Sequence, residues 1–283
     1  MSQYTYLYPQ GTLAIIMAPQ VAAWEDLTFF HEEVDEVTGE FQNITFAVVD
    51  EDDTAYFGKS NHPKSNINLK QLTSALTPIP DDDIFPQWMP SSVELTRAQN
   101  TPPPNIYIKR PNLPLYDIFQ EHNVLVLIPK GFLEEAKAME MLSQHPHPNI
   151  IRYHGCRVRR GRITGLVLDR HPNTLTDYLK NSVGSVDKQA FMQSLSSAIY
   201  HLHSLGWAHN DLNPNNVLVD EDGMPVLIDF GSAREIGAKL GTSRGTKGWI
   251  DRDMKDYHTS DEGHDFFALD KIRIWLDAPT FDD

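Results

Sequence analysis

The stretch His209-Asn210-Asp211-Leu212-Asn213-Pro214-Asn215-Asn216 sets a carboxylate, a proline-stiffened turn and a terminal amide between two apolar runs. A second acid arrives in Asp229-Phe230-Gly231, where the glycine relaxes the limits on the backbone. Two carboxylates and an amide on neighbouring loops are hard oxygen donors, the set that suits a cation such as Mg²⁺ bound with a polyphosphate. The elements that must hold these groups are legible on either side. Phe191, Leu195, Ala198, Leu202 and Leu205 recur at helical spacing ahead of the loop, and Val217-Leu218-Val219 with Val226-Leu227-Ile228 read as a hairpin turning at Glu221-Asp222-Gly223. The first acid therefore sits in a loop between a buried helix and a small β-ribbon, and the second just past the ribbon's last strand.

These motifs resemble those of the protein kinase superfamily. His209 to Asn216 is similar to the catalytic loop H-R-D-L-K-P-x-N, and Asp229-Phe230-Gly231 to the metal-binding D-F-G. The spacings, five residues from Asp211 to Asn216 and eighteen from Asp211 to Asp229, are those of the family. The resemblance implies an α+β, two-lobed kinase-like fold, with a small β-rich N-lobe holding one helix and a mainly helical C-lobe. It implies ATP and Mg²⁺ as cofactors, with Asp211 accepting the proton of the acceptor hydroxyl and Asn216 and Asp229 as metal ligands. Gly245-Thr246-Lys247-Gly248-Trp249-Ile250-Asp251-Arg252-Asp253 looks like G-T-x-G-Y-x-A-P-E. That places Thr246 where serine/threonine kinases have a threonine bonded to the catalytic acid. Asp265 matches the buried aspartate that opens a helix and supports the catalytic loop, with His209 bracing the same loop.

Ahead of these motifs, Asn105-Ile106-Tyr107-Ile108-Lys109 alternates with period two, which aims Tyr107 and Lys109 to the face opposite Ile106 and Ile108. In the resemblance Lys109 stands where the family's strand lysine pairs the nucleotide phosphates; Lys130 is the rival. A helix over Phe132 to Leu142, with Leu133, Ala136 and Met139 on one stripe, would supply the lysine's partner. Glu135 fits best, with Glu134 and Glu140 as alternatives. Strands over Ile151–Val158 and Ile163–Leu168, joined by the basic turn Arg159-Arg160-Gly161-Arg162, match those preceding the kinase hinge. Leu168 would then border the adenine and Asp169 open the hinge. The arginines read as a solvated turn, with phosphate or an acidic partner as the alternative.

Two features depart from the family. No G-x-G-x-x-G precedes Lys109, and Asn213 stands where protein kinases carry a lysine, so an amide donor replaces a charge near the transferring phosphate. Asn210 replaces the usual arginine, so the resemblance indicates no basic pocket for a phosphate on Thr242 or Ser243, with Arg234 and Arg244 as the alternative readers. Three readings follow: a Ser/Thr protein kinase, a pseudokinase that binds without catalysis, and a small-molecule phosphotransferase of the aminoglycoside-kinase type. His147-Pro148-Asn149-Ile150 and Gly245 to Trp249 favour the protein-kinase branch over the third. The N-P-N wording and the I-K-R-P strand look most like a group of fungal kinase-like proteins.

Composition bounds the rest. At 283 residues and 40% hydrophobic, the chain can bury a sizeable core. A net charge of −15 argues against nucleic acid as a partner, since phosphate backbones need a basic footprint. A nucleotide and a protein substrate or partner are expected instead; nothing reads out an oligomeric state. The one cysteine, Cys156, excludes an internal disulfide framework, reads as a packed strand thiol and fits a reducing, intracellular compartment, cytoplasmic or nuclear. No apolar run approaches membrane-spanning length, and Leu13 to Ala18 lacks the basic flank of a signal peptide. The expected organisation is an accessory segment over 1–98, an N-lobe over 99–172 and a C-lobe over 173–283 that ends early. Within the accessory segment, Thr12–Met17 has strand character. A hairpin joins Thr45–Val49 to Thr54–Phe57, and a short helix over Asn68–Leu76 is capped at Asn66. The proline-rich Thr77–Pro104 is expected as an extended surface connector, with disorder as the alternative.

Overall fold

The computed structural model describes residues 4–7, 13–16, 19–35, 37–89, 95–101, 103–241, 244–251 and 253–281. They gather into two compact units, one of Met1–Trp88, Arg110–Lys130 and Val158–Thr164, the other of Met89–Lys109, Gly131–Arg157 and Gly165–Asp283.

In the first unit β1 (Tyr4–Leu7) and β2 (Leu13–Ile16) pair as a separate ribbon. The main sheet is antiparallel, in the order β3 (Phe29–Val34), β4 (Phe41–Val49), β5 (Ala55–Ser60), β6 (Thr77–Pro78). The hairpin expected between β4 and β5 forms, with Val49 opposite Ala55. Both faces of β4 are covered. Ile44, Phe46 and Val48 pack on Ile67, Val21 and Leu72 of α1 (Leu69–Ala75). On the alternate face Ala47 joins Ala55, Phe57, Ile79, Ile84 of the one-turn α2 (Asp81–Ile84), Phe85 and Tyr116 of α3 (Tyr116–Glu121). Phe46 lies opposite Gly58, where a Cβ would stand 2.4 Å from the ring, so only glycine lets the phenyl cross its neighbour.

Three expectations are corrected here. α1 is capped by Asn68, not Asn66: Asn68 Oδ1 accepts from Gln71 N and Gln71 Oε1 from Asn68 N, both at 3.0 Å, a reciprocal pair that Asn66 is too far upstream to make. The proline-rich stretch is not merely a surface connector. Thr77–Pro78 closes the edge of the sheet, and Pro80 precedes the turn of α2, where its fixed φ and missing N–H cost nothing. Ile79, Ile84 and Phe85, placed between the prolines, are buried. The basic turn is not solvated by water alone. Arg160 binds Asp81 through Nε and Nη2 at 2.8 and 2.9 Å, and also reaches the Asp52 and Asp53 carbonyls. Arg162 pairs with Asp82, so the acidic partner lies in the chain itself. Asp53, whose carbonyl Arg160 reaches, is fully buried at a left-handed φ of 64°. Its carboxylate accepts from Arg110 Nη2 at 2.7 Å and from Thr164 Oγ1 at 2.8 Å.

In the second unit β7 (Ile106–Lys109), the long α4 (Leu127–Gln144), β8 (Tyr153–Arg159) and β9 (Arg162–Asp169) follow in sequence; α4 and β9 begin, and β8 ends, in residues of the first. The sheet order is β7-β9-β8, antiparallel between β7 and β9, with Lys109 opposite Leu166. α4 starts at Leu127 rather than Phe132, because Pro129 falls in its first turn, where no intrahelical N–H is lost. Arg160 and Gly161 take positive φ, as a two-residue hairpin turn requires. Cys156 on β8 is buried, as its apolar neighbours suggested; burial pushes its thiol up to about 11. β10 (Asn173–Thr174) leads into α5 (Leu175–Lys180) and α6 (Lys188–Ser204), whose Phe191, Leu195, Ala198 and Leu202 are all buried. β11 (Trp207–Ala208), β12 (Val217–Val219), β13 (Pro225–Leu227) and β14 (Arg234–Glu235) follow, and α7 (Glu262–Trp275) comes last. β10, β12 and β13 form one sheet, while β11 pairs with β14. The architecture is α+β, as expected.

Candidate active site

Lys109 ends β7 with its ammonium between two carboxylates. Its Nζ lies 2.5 Å from Glu135 Oε1 on α4 and 2.9 Å from Asp229 Oδ1. Burial would lower the lysine's pKa, but the Glu135 and Asp229 carboxylates outweigh it and hold it above the ordinary value. Burial lifts Glu135, with Lys109 pulling down and Asp229 adding to the rise. For Asp229 burial also acts upward, but Lys109 and the Gly231 N–H keep its carboxyl below the usual aspartate range. Asp229 follows the last ribbon strand at φ 61°, a left-handed conformation that aspartate tolerates better than most residues. Gly231 packs close to the pair: a Cβ there would lie 3.2 Å from Asp229 Oδ1, a contact that asks the carboxylate to give by a few tenths of an ångström. The alternatives for the pair fall away. Glu134 binds Lys137, Glu140 accepts from Thr96 N and Oγ1 at 2.7 Å each, and Lys130 lies within α4 rather than on a strand.

The catalytic-type loop hangs from α7. Asp265, fully buried, accepts from His209 N and Asn210 N, each at 2.8 Å, and from His203 Nε2 at 2.9 Å. It sits one turn inside α7, whose cap is Asp261. His209 Nε2 donates to Ile228 O at 2.9 Å, tying the loop to the end of the ribbon. Asp211 projects from this frame: Thr246 Oγ1 donates to its Oδ1 at 2.6 Å and Asn213 Nδ2 at 3.3 Å. Asn213 Nδ2 also reaches Asp211 O at 3.1 Å and Thr246 Oγ1 at 3.2 Å, while its Oδ1 caps Asn215 N at 2.9 Å. Asn216 Nδ2 donates to Asp211 O at 2.8 Å. Burial raises Asp211's pKa, with the Thr246 bond and the nearby His209 ring opposing and the Asp229 charge adding to it.

Asp229 and Asn216 offer oxygen donors of the kind a hard cation takes. No group of three or more His, Cys, Asp and Glu that could hold a metal occurs among the described residues. Such a pair fits Mg²⁺, which takes one or two protein ligands and completes its shell with phosphate and water. Leu168 and Asp169 end β9, opposite Tyr107 and Ile106; Leu168 is buried and the Asp169 carboxylate is taken by His154 Nε2 at 2.6 Å. Among the described residues no glycine stands between Gly58 and Gly131, so the stretch leading into β7 has none of the glycines that cover a triphosphate. Thr242 and Ser243 lie outside the described residues. Sequence reasoning missed two anchors, His203 on Asp265 and the amide of Asn210. The only trace of the first is a histidine in the last turn of α6.

A model of the protein kinase domain matches residues 118–274, more than half of the chain, and the chain belongs to that family. Lys109 lies ahead of the matched stretch. The serine/threonine-protein kinase/endoribonuclease IRE1 of Hypocrea jecorina is 35% identical over 122 residues, which are 36% of this chain and 10% of that protein. Serine/threonine-protein kinase SSK22 of Saccharomyces cerevisiae is 31% identical over 116 residues, 39% of this chain and 8% of that one. Mitogen-activated protein kinase kinase kinase 5 of Arabidopsis thaliana is 28% identical over 144 residues, 48% of this chain and 20% of its own length. The chain thus spans a fifth or less of each of these relatives.

Proposed function

We propose that this chain transfers the γ-phosphate of ATP to a serine or threonine hydroxyl of a protein. The observation that carries this reading is the Lys109 ammonium held between Glu135 and Asp229, 2.5 and 2.9 Å away. Glu135 aims the lysine at phosphate oxygens, and Leu168 with the start of the hinge at Asp169 borders the adenine. Asp229 and Asn216 would hold Mg²⁺, which when bound would neutralise phosphate charge. Asp211, oriented by Thr246 and Asn213, receives the acceptor hydroxyl and takes its proton; its raised pKa makes it a better base than an exposed aspartate. Asn213 joins Asp211 to Thr246 through its amide and brings no charge to the site.

A second reading, a pseudokinase that binds without catalysis, draws support from the uncharged Asn213 and the missing glycines. Among the described residues no helix is long and apolar enough to cross a membrane. Thermal unfolding tests the nucleotide binding that phosphate transfer requires. Millimolar ATP with Mg²⁺ raises the Tm, and ATP with a chelator raises it far less, because a ligand that binds only the folded state stabilises it. No shift with Mg-ATP excludes the catalytic reading.

A further inference from the structure

Asn210 stands between His209 and Asp211, and 2% of it is exposed. Both ends of its amide are engaged. Nδ2 donates to Ala208 O at 2.9 Å, Ser260 Oγ at 3.0 Å and Ser232 O at 3.2 Å, three acceptors sharing two protons. Oδ1 accepts from Asp261 N at 3.3 Å and lies 3.0 Å from His264 Nδ1. Its backbone N–H goes to Asp265, and its φ is 64°, which asparagine adopts more readily than most residues. The partners come from separate stretches of chain: the strand before the loop, the segment just past Asp229-Phe230-Gly231, and the start of α7. Ser260 Oγ continues the tie by donating to Arg234 O at 3.1 Å.

We propose that Asn210 is a positioning residue that fixes Asp211 relative to the Asp229 segment by a neutral link complete as soon as the chain folds. The proposal rests on the phosphotransfer reading of this site and adds its regulation: the two acids are held in register with no added charge. A single amide at the centre reaches all three stretches. Buried polar networks of this kind, fully satisfied, specify one arrangement.

Asn210→Gly separates the side chain from the backbone, since glycine keeps the left-handed φ at no cost while removing every amide bond. Asn210→Asp is the isosteric control, retaining the acceptor while turning a carboxylate toward the Ala208 and Ser232 carbonyls. In the full chain, both variants are expected to lower kcat by about tenfold while the calorimetric Kd for Mg-ATP stays within about threefold. Amide exchange is expected to speed up across 208–213 and 230–235 but not in α6. Unchanged kcat with unchanged exchange overturns the proposal. So does faster exchange throughout α6 or a parallel loss of Mg-ATP affinity, either of which marks a general folding role. If wild type transfers no phosphate, the phosphotransfer reading fails on its own. Exchange still decides Asn210: local acceleration supports the link, and its absence overturns it.

Discussion

Asn213 shows how one residue can be read two ways from sequence and one way from structure. As a replacement for lysine it looks like a weakened donor that a restored charge would improve. In the fold it is 3% exposed and works at both ends, Oδ1 capping Asn215 and Nδ2 joining Asp211 to Thr246. Asn213→Lys removes the cap and brings a charge into a space shaped for an amide. We therefore expect transfer to fall by about tenfold in a steady-state assay, with Mg-ATP affinity little changed. A faster Asn213→Lys enzyme would contradict this reading. Asp211, Asn216 and Asp229 stood out in the sequence because they fall at the spacing of the kinase-family motifs. Asn210 was legible as a departure but not as a hub, since its partners Ser232, Ser260, Asp261 and His264 lie 22 or more positions away.

At the scale of elements, periodic segments were readable and segments defined by distant partners were not. α6 and the β12–β13 hairpin follow the alternation of their own apolar residues. β3 and α3, by contrast, took shape against β4 and β5, and no local pattern singled them out. The turn Arg159–Arg162 was misread for the same reason: its acids, Asp53, Asp81 and Asp82, precede it by about eighty residues or more. This network carries a stability prediction. Arg110→Ala leaves the fully buried Asp53 without its closest cation, and breaking a buried pair from one side costs about 3–5 kcal/mol. Arg159, half exposed and 3.9 Å away, contributes little, so Arg159→Ala should cost under about 1 kcal/mol. Denaturant unfolding of both variants checks the ranking, and equal losses would refute it.

Across the whole molecule, a net charge of −15 bears on the acceptor rather than the fold. An acidic surface draws basic proteins and repels acidic ones, and salt screens both effects within about 10 Å at 0.1 M. At low salt, a basic acceptor such as histone should therefore be phosphorylated faster than casein, with the difference shrinking as salt rises. A preference for casein that ignores salt would mean that local groove chemistry overrides net charge. The most direct test of the central claim pairs ATP-dependent phosphate transfer with calorimetric Mg-ATP binding in wild type, Asp211→Ala and Asp229→Ala. If Asp211 serves the acceptor hydroxyl and Asp229 the cation, Asp211→Ala loses transfer while binding within a few-fold of wild type, and Asp229→Ala loses both. Wild type and Asp211→Ala binding alike, with neither transferring phosphate to any protein or to itself, would contradict the account.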